Sequence, residues 1–357
     1  MHNHEKALEV FRSGVVIPAT PLTLTSERKF DEEAERLLML YYLGCGAKGV
    51  ATAVHTTQFE MRNYGLFEPV ISIVGDQIDI FEEQTGETIF KICGVCGPTE
   101  QAVKEAEIAK KHGYDAVLLS PGGLSDKSEE YMIERARAVQ NVMPTVGFYL
   151  QLACGGRLLS YKYWHELAEM KNIIGIKVAS FNRYSTFEVV RAVVESSRCD
   201  EITLYTGNDD NIVGDFMSEF RIKKDGKYVS KRFEGGLLGH WCNWTKTAVD
   251  TLALVKKARL DGDYSKLIEI GPQITDMNRA IFDPYNSFKG SVSGMHEVLH
   301  RQGLMKNTLC LNPNECLSEG QRGEIDRVIS SYPELIDDAF ISAHIEEWKK
   351  QAKACLK

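Results

Sequence analysis

The sequence predicts a (β/α)8 barrel, and three features predict it. Eight short apolar runs recur along the 357 residues. Each is near-continuously apolar, as strands buried on both faces of a parallel sheet read. Helix-like stretches separate them, so that strand starts recur roughly every 27 to 40 residues, the spacing of a closed barrel of strand–helix units. Finally, PATPLTLT follows the first run. A doubly wound open sheet would carry a glycine-rich phosphate turn there.

In chain order the runs are GVVIPAT from Gly14, KGVATAV from Lys48, TIFKICGV from Thr88 and DAVLLSP from Asp115. TVGFYL from Thr145, NIIGIKVAS from Asn172, EITLYTGN from Glu201 and FEGGLLGH from Phe233 complete the set. Asp31 suits the N-cap of the first intervening helix, with acids in its first turn. Thr99 to His112 and Ser128 to Val142 read as further helices, with Gly113 stopping the former. FRIKKDGKYVSKRF alternates around Asp225-Gly226, which predicts a β-hairpin inserted near 220–233. Beyond about residue 247 only helical patterns and short loops remain. The expected division is a barrel core over 1–250, then closing helices and a small C-terminal helical extension over 251–357.

Composition narrows the function class. Hydrophobic residues are 43% and charged residues 26%, with a formal net charge of -8. No basic surface for nucleic acid is implied. MHNHEKALEVF lacks an apolar run flanked by basic residues, so no signal peptide is expected there. No run of about 18 apolar residues suggests a membrane span. Nine scattered cysteines without an export signal suggest reduced thiols and a cytoplasmic protein.

Active sites of such barrels lie at the C-terminal strand ends. Those ends offer Thr56 and Thr57, Tyr149, Lys177, Gly207 and Leu238. Lys177 is the informative one, because its neighbours in NIIGIKVAS are apolar or small. Burial there disfavours the cation, lowers the amine pKa and makes a nucleophile for carbonyl carbon. The alternative is a lysine that reaches solvent or pairs with an acid. Tyr149 ends the adjacent strand, where a phenol could move protons; otherwise it is a core tyrosine. His55-Thr56-Thr57 supplies hydroxyls and N–H groups suited to a carboxylate, or a simple turn.

These features resemble the family of dihydrodipicolinate synthase and N-acetylneuraminate lyase, class I aldolases that form a Schiff base with a keto acid. The likeness runs from about Gly14 to Ala248 and more weakly beyond. GVVIPATPLT, HTTQFE, TGNDD and GGLLGHWCN fall where the family has its strand ends. YLQLACGGRLLSYKYWHELAEMKNIIGIKVAS aligns without gaps to the family's tyrosine-to-lysine block, with Tyr149 and Lys177 28 positions apart. The resemblance implies Lys177 as the Schiff-base lysine, Tyr149 as the proton-transferring phenol, and Thr56 and Thr57 at the substrate carboxylate or in a proton relay. Gly207 and Leu238 would add backbone groups. It implies a keto acid and an aldehyde as substrates, no metal or organic cofactor, and a homo-oligomer, dimer or tetramer.

The departures concern the second substrate. The synthase has a carboxylate-binding arginine where this chain has Cys154, and Arg157 is out of register by three. Gly123 stands where the synthase has a tyrosine from a neighbouring subunit, and Gln58-Phe59 replaces Gly-Glu after the threonine pair. Dihydrodipicolinate synthesis itself is therefore not expected. A dehydratase of 2-keto-3-deoxy sugar acids using the same lysine, and a non-catalytic keto-acid-binding barrel, are the alternatives. His55, His240, Trp241 and Trp244 are candidates for the second-substrate pocket. His296-Glu297-Val298-Leu299-His300 spells HExxH, but it is expected in the closing helices far from the strand ends. Cys93-Gly-Val-Cys96 lacks the thioredoxin-like surroundings of a redox motif. Neither is expected to hold metal.

Overall fold

Every apolar run forms a strand in the computed structural model, which describes residues 2–356. The barrel strands are β1 (Val16–Pro18), β2 (Gly49–Thr52), β3 (Phe90–Val95), β4 (Ala116–Leu119), β5 (Thr145–Leu150), β6 (Ile173–Ala179) and β7 (Thr203–Thr206). β8 (Phe220–Lys224) and β9 (Lys227–Lys231) form the expected hairpin, and β10 (Phe233–Leu238) is the eighth barrel strand. All neighbours in the eight-stranded sheet are parallel, in the order β1-β10-β7-β6-β5-β4-β3-β2. One parallel bridge, Ala19 to Ala51, closes it between β1 and β2. The hairpin turns at Asp225 and Gly226, both with positive φ (49° and 81°), as a two-residue turn matched to strand twist requires.

The helices are α1 (His4–Arg12), α2 (Glu32–Gly44), α3 (Phe67–Thr85), α4 (Thr99–Lys111), α5 (Glu129–Gln140), α6 (Tyr161–Ala168), α7 (Arg183–Glu195), α8 (Ile212–Met217) and α9 (Thr245–Asp261). Then come α10 (Ser265–Phe282), α11 (Ser291–Arg301), α12 (Gln321–Ser331) and α13 (Asp338–Ala354). Asp31 caps α2 by accepting from the N–H of Ala34, and Ser128 caps α5 through Tyr131. No helix is long and apolar enough to cross a membrane.

Two cores result. Residues on the helix side of the strands pack with the helices, while Ile17, Phe90, Ile92, Leu118, Val146, Phe148, Tyr205 and others fill the barrel interior. The N-terminal helix α1 closes the bottom. Its Phe11 stacks on Tyr205 (4.5 Å between centroids) and contacts Phe90 (4.7 Å), and Tyr205 Oη donates to the Phe11 carbonyl (2.7 Å).

His2 and His4 latch this cap to the barrel. His2 Nδ1 meets Glu82 and Nε2 meets Asp115, each at 2.7 Å, while His4 Nδ1 meets Asp115 at 2.6 Å. Burial alone would lower the His2 pKa, but the bonds to Asp115 and Glu82 outweigh it and lift it to about 9. A group raised above its unfolded value adds stability that is full below that value and lost as pH climbs through the folded one. The latch is therefore complete below about pH 6.5 and gone above about pH 9, and is worth roughly 3 kcal/mol at most. Melting of wild type and His2→Gln should differ at pH 6 and converge by pH 10. A pH-independent gap would exclude imidazolium pairing as the source.

Candidate active site

Lys177 stands near the C-terminal end of β6, opposite Phe148 on β5 and Tyr205 on β7. Only 7% of it is exposed. Its Nζ lies 4.4 Å from the centre of the Phe148 ring. A cavity of about 60 Å³ opens above it. A single water needs about 10–15 Å³, so the space suits about four to six such groups, the size of a three-carbon keto acid. Burial lowers the Lys177 amine from 10.5 to about 8, against the opposing charge of Asp209. That leaves about a tenth of it neutral at pH 7.

Gly207, at the end of β7, makes room for this side chain. A Cβ there would lie 2.6 Å from Lys177 Cε and 2.9 Å from Ala179 Cβ. Gly207→Ala must push the amine aside. A displacement of about 1 Å costs on the order of 100-fold in a positioned reaction, so adduct formation with pyruvate should slow by about that factor. An unchanged rate constant in a single-turnover measurement would show that the lysine has slack.

The other expected residues divide. His55, Thr56 and Cys154 line the cavity with Lys177 and Gly207. Thr56 Oγ1 donates to the carbonyls of Ala19 (2.9 Å) and Thr20 (3.1 Å), which ties the loop after β2 to the segment after β1 at the cavity rim. Burial and the Lys177 charge lower His55 to about 4, so its imidazole is neutral. Burial raises the Cys154 thiol to about 11.

Tyr149, Thr57 and Leu238 are not among the residues that line the cavity. Tyr149 pairs with Val178 in the sheet, and its ring lies on the helix side, stacked on Trp164 of α6 at 5.1 Å. The physical reason is parity: side chains alternate across a strand, so adjacent residues face opposite ways. The β5–β6 register shifts between Thr145 and Val146, and Phe148, not Tyr149, stands inside beside Lys177. Thr57 is fully buried, donating to the Thr20 carbonyl (2.7 Å) and accepting from the Val54 N–H (3.2 Å). Leu238 packs in the outer core, and Gly239 lines the cavity.

Of the candidates for the second-substrate pocket, only His55 reaches the cavity. Trp241 stacks on Phe216, and Trp244 lies beside His240. Gln58 accepts from the Leu311 N–H (2.6 Å) and anchors the C-terminal segment.

Asp209 is the residue that sequence reasoning missed. It lies two positions past Gly207, lines the cavity and is 8% exposed. Its Oδ1 accepts from the N–H of His240 at 2.9 Å. Burial raises its carboxyl from 3.8 to about 7, against the Lys177 charge and the His240 N–H. A buried acid beside a buried amine, with the two pKa values driven toward one another, can hold or release a proton near neutrality. The signal was available, since an acid at a barrel strand end is a candidate by position alone.

The HExxH and CxxC motifs lie apart from Lys177 in their contacts. Contrary to expectation, α11 folds over the cavity, where its Ser291 and Met295 form part of the wall. His296, the next residue, is buried near Cys310, and Glu297 pairs with Arg301 (2.8 Å) and Arg322 (3.2 Å). Cys93 and Cys96 are buried free thiols, and burial raises both well above the usual thiol value. Among the described residues, the clusters that could hold a metal are His2 with His4 and Asp115, and His2 with Asp79 and Glu82, at the latch.

A barrel with a buried amine facing a small cavity at its strand ends has the arrangement that a lysine-dependent aldolase requires. The model of the dihydrodipicolinate synthetase family matches residues 13–219, more than half of the chain. The chain belongs to that family, whose members are class I aldolases and lyases, and it is an enzyme of that class. Among solved structures it is similar to a dihydrodipicolinate synthase (20% identity, TM-score 0.71, covering 91% of this chain and 100% of that one). It is also similar to YagE, a prophage protein of the same family from E. coli K12 solved with pyruvate (17%, 0.73, 90% and 98%). A third is N-acetylneuraminate lyase from Fusobacterium nucleatum (14%, 0.69, 90% and 99%). At these identities the likeness shows the fold. No curated protein matches the chain.

Proposed function

We propose that the protein is a Schiff-base lyase in which Lys177 condenses with pyruvate or another 2-keto acid and exchanges an aldehyde with it. The observation that carries this is the placement of Lys177. Its amine is buried over a small cavity, and Asp209 acts on it as a charge without a hydrogen bond. Neutral Lys177 attacks the keto carbon, water leaves, and the resulting iminium accepts electrons from the adjacent bond. No metal or organic cofactor is needed in this reading, because the iminium is the electron sink.

The keto-acid carboxylate fits the loop after β2. Among the described residues, the N–H groups of His55 and Thr56 have no hydrogen-bond partner, while those of Val54, Thr57 and Gln58 are engaged. In this reading Asp209 moves the proton, supported by its position on the cavity lining with Lys177, whereas the Tyr149 ring stacks on Trp164. Dihydrodipicolinate synthesis is disfavoured because Cys154 offers no cation, and the Arg157 guanidinium is spent on the carbonyls of Leu124 and Lys127. A homo-oligomer in the cytoplasm completes the reading, and nine free thiols suit a reducing compartment.

Borohydride reduction in the presence of pyruvate, then peptide mapping, tests it. The expected result is a reduced adduct on Lys177. Folded protein giving no adduct with pyruvate or with longer 2-keto acids, yet still binding them, would instead make this a keto-acid-binding barrel.

A further inference from the structure

The cavity over Lys177 adjoins a second groove on its far side. Phe181, Phe282 and Phe288 line both, and the groove, of about 240 Å³, continues past Pro284 and Tyr285. The inner chamber and the outer groove thus share an aromatic wall, with the Phe181 and Phe288 rings meeting edge to face at 5.8 Å.

This wall is built and held in place. Phe181 (φ 50°) and Phe288 (φ 63°) both adopt the left-handed backbone conformation, as do Asp283 (54°) and Ser287 (55°). Bulky residues rarely adopt it, and such strain persists only where the surroundings impose it. Here the Phe181 N–H donates to Asn208 Oδ1 (3.0 Å), and the Phe288 N–H to the Asp283 carbonyl (3.0 Å). The Asp283 carboxylate in turn accepts from Asn286, Gly290 and Ser318. Tyr285 stands 84% exposed at the outer lip.

The charges near the wall disfavour an anionic partner, with Asp210 an acid of the outer groove. Asp209 is the acid of the inner chamber, and the neutral His55 adds no cation. Arg279 of the groove is committed to Asp276 and Glu324. Once a keto acid occupies Lys177, the two linings hold, among the described residues, no unpaired cation for a second carboxylate. A polyhydroxylated aldehyde would meet Phe181, Phe282 and Phe288 where it needs hydrogen-bond partners, while Thr275 of the groove already donates to the Asp210 and Gly271 carbonyls and Asn278 Nδ2 to the Asp209 carbonyl; burying unpaired hydroxyls is unfavourable.

We propose that the aldehyde partner carries an aryl or branched alkyl group, and that this group lodges against Phe181, Phe282, Phe288 and Tyr285. The inference rests on the Schiff-base reading above. In the forward sense, the enamine formed at Lys177 attacks the aldehyde carbon with its terminal carbon. The carbonyl π pair moves to oxygen, which takes a proton equivalent to the one lost on forming the enamine. Water then hydrolyses the iminium, replacing the water released when it formed, and frees Lys177 and a 4-hydroxy-2-keto acid. No oxidant or reductant is required.

The test uses the full chain in two stages. Borohydride trapping with pyruvate is done first. Product formation is then measured with pyruvate and benzaldehyde, 3-methylbutanal, erythrose or glyoxylate. Benzaldehyde and 3-methylbutanal should exceed the other two in kcat/KM by about tenfold or more. Phe288→Ala should cut that preference by about tenfold. Tyr285→Ser, at a position too exposed to govern folding, should cut it in the same direction. An adduct on Lys177 with erythrose or glyoxylate preferred, or a preference that neither variant changes, overturns the aromatic subsite and leaves the Schiff base standing. Absence of any adduct overturns both.

Discussion

Lys177→Met abolishes trapping and turnover together, and it makes the protein more stable at neutral pH. The first effect follows from chemistry, because a thioether cannot form an imine and no second buried amine lines the cavity among the described residues. The second is the physical signature of a residue kept for reactivity. The amine falls from 10.5 when unfolded to about 8 when folded because burial penalises the cation. That difference is worth about 3 kcal/mol against the folded state.

The sign is set by proton binding. Between pH 8 and 10.5 the unfolded chain holds more protons on this lysine than the folded one, so wild-type stability contributed by this group rises with pH. Below pH 8 the penalty is present in full. Methionine is unbranched and fills the same slot, so the variant should gain up to about 3 kcal/mol at pH 7. The gain is reduced by the lost contact with Phe148 and by leaving Asp209 without its counter-charge. It should shrink as pH rises. Denaturant midpoints at pH 7 and pH 10 measure both parts. A variant less stable than wild type at pH 7 would mean that the ammonium is well solvated and that its reactivity has another source.

The barrel was legible because its signals are local. Runs such as TVGFYL and NIIGIKVAS are too apolar for anything but two-sided burial, and Asp225-Gly226 names its turn by backbone preference. Lys177 was legible for the same reason, as a charged residue in a run with no place for one. What the sequence left unread depended on register or distance. Which β5 residue stands opposite Lys177 depends on the irregular pairing of β5 with β6, and strand boundaries alone do not encode it. Phe282, Phe288, Ser291 and Met295 reach the site because α10 and α11 fold over the mouth, more than 100 residues along the chain from Lys177. The α1 cap went unread although its Asn3 N-cap and the buried pair Ala7 and Phe11 follow helical spacing.

Asp209→Asn is the variant that separates a proton carrier from a residue that merely shapes the site. Asparagine retains an oxygen to accept from the His240 N–H, so the strand end should keep its form. The neighbouring negative charge, however, is gone. That charge holds the Lys177 pKa up against burial, so removing it moves the lysine below 8 and makes more neutral amine at pH 7. If Asp209 served only to position the amine, imine formation at pH 7 would be as fast or faster, and so would turnover. If it carries protons between the reacting carbon and the aldehyde oxygen, kcat falls by about 10²–10⁴, the usual loss on removing a general acid–base. In wild type, activity should rise through about pH 7–8 as Asp209 ionises and Lys177 deprotonates. In Asp209→Asn the remaining limb belongs to Lys177 alone and should lie at lower pH, beneath a much lower plateau. A kcat–pH profile read beside the borohydride trapping rate distinguishes the two. Trapping preserved with turnover lost assigns the proton to Asp209, whereas turnover preserved returns it to the hydroxyl of Thr56 or to solvent.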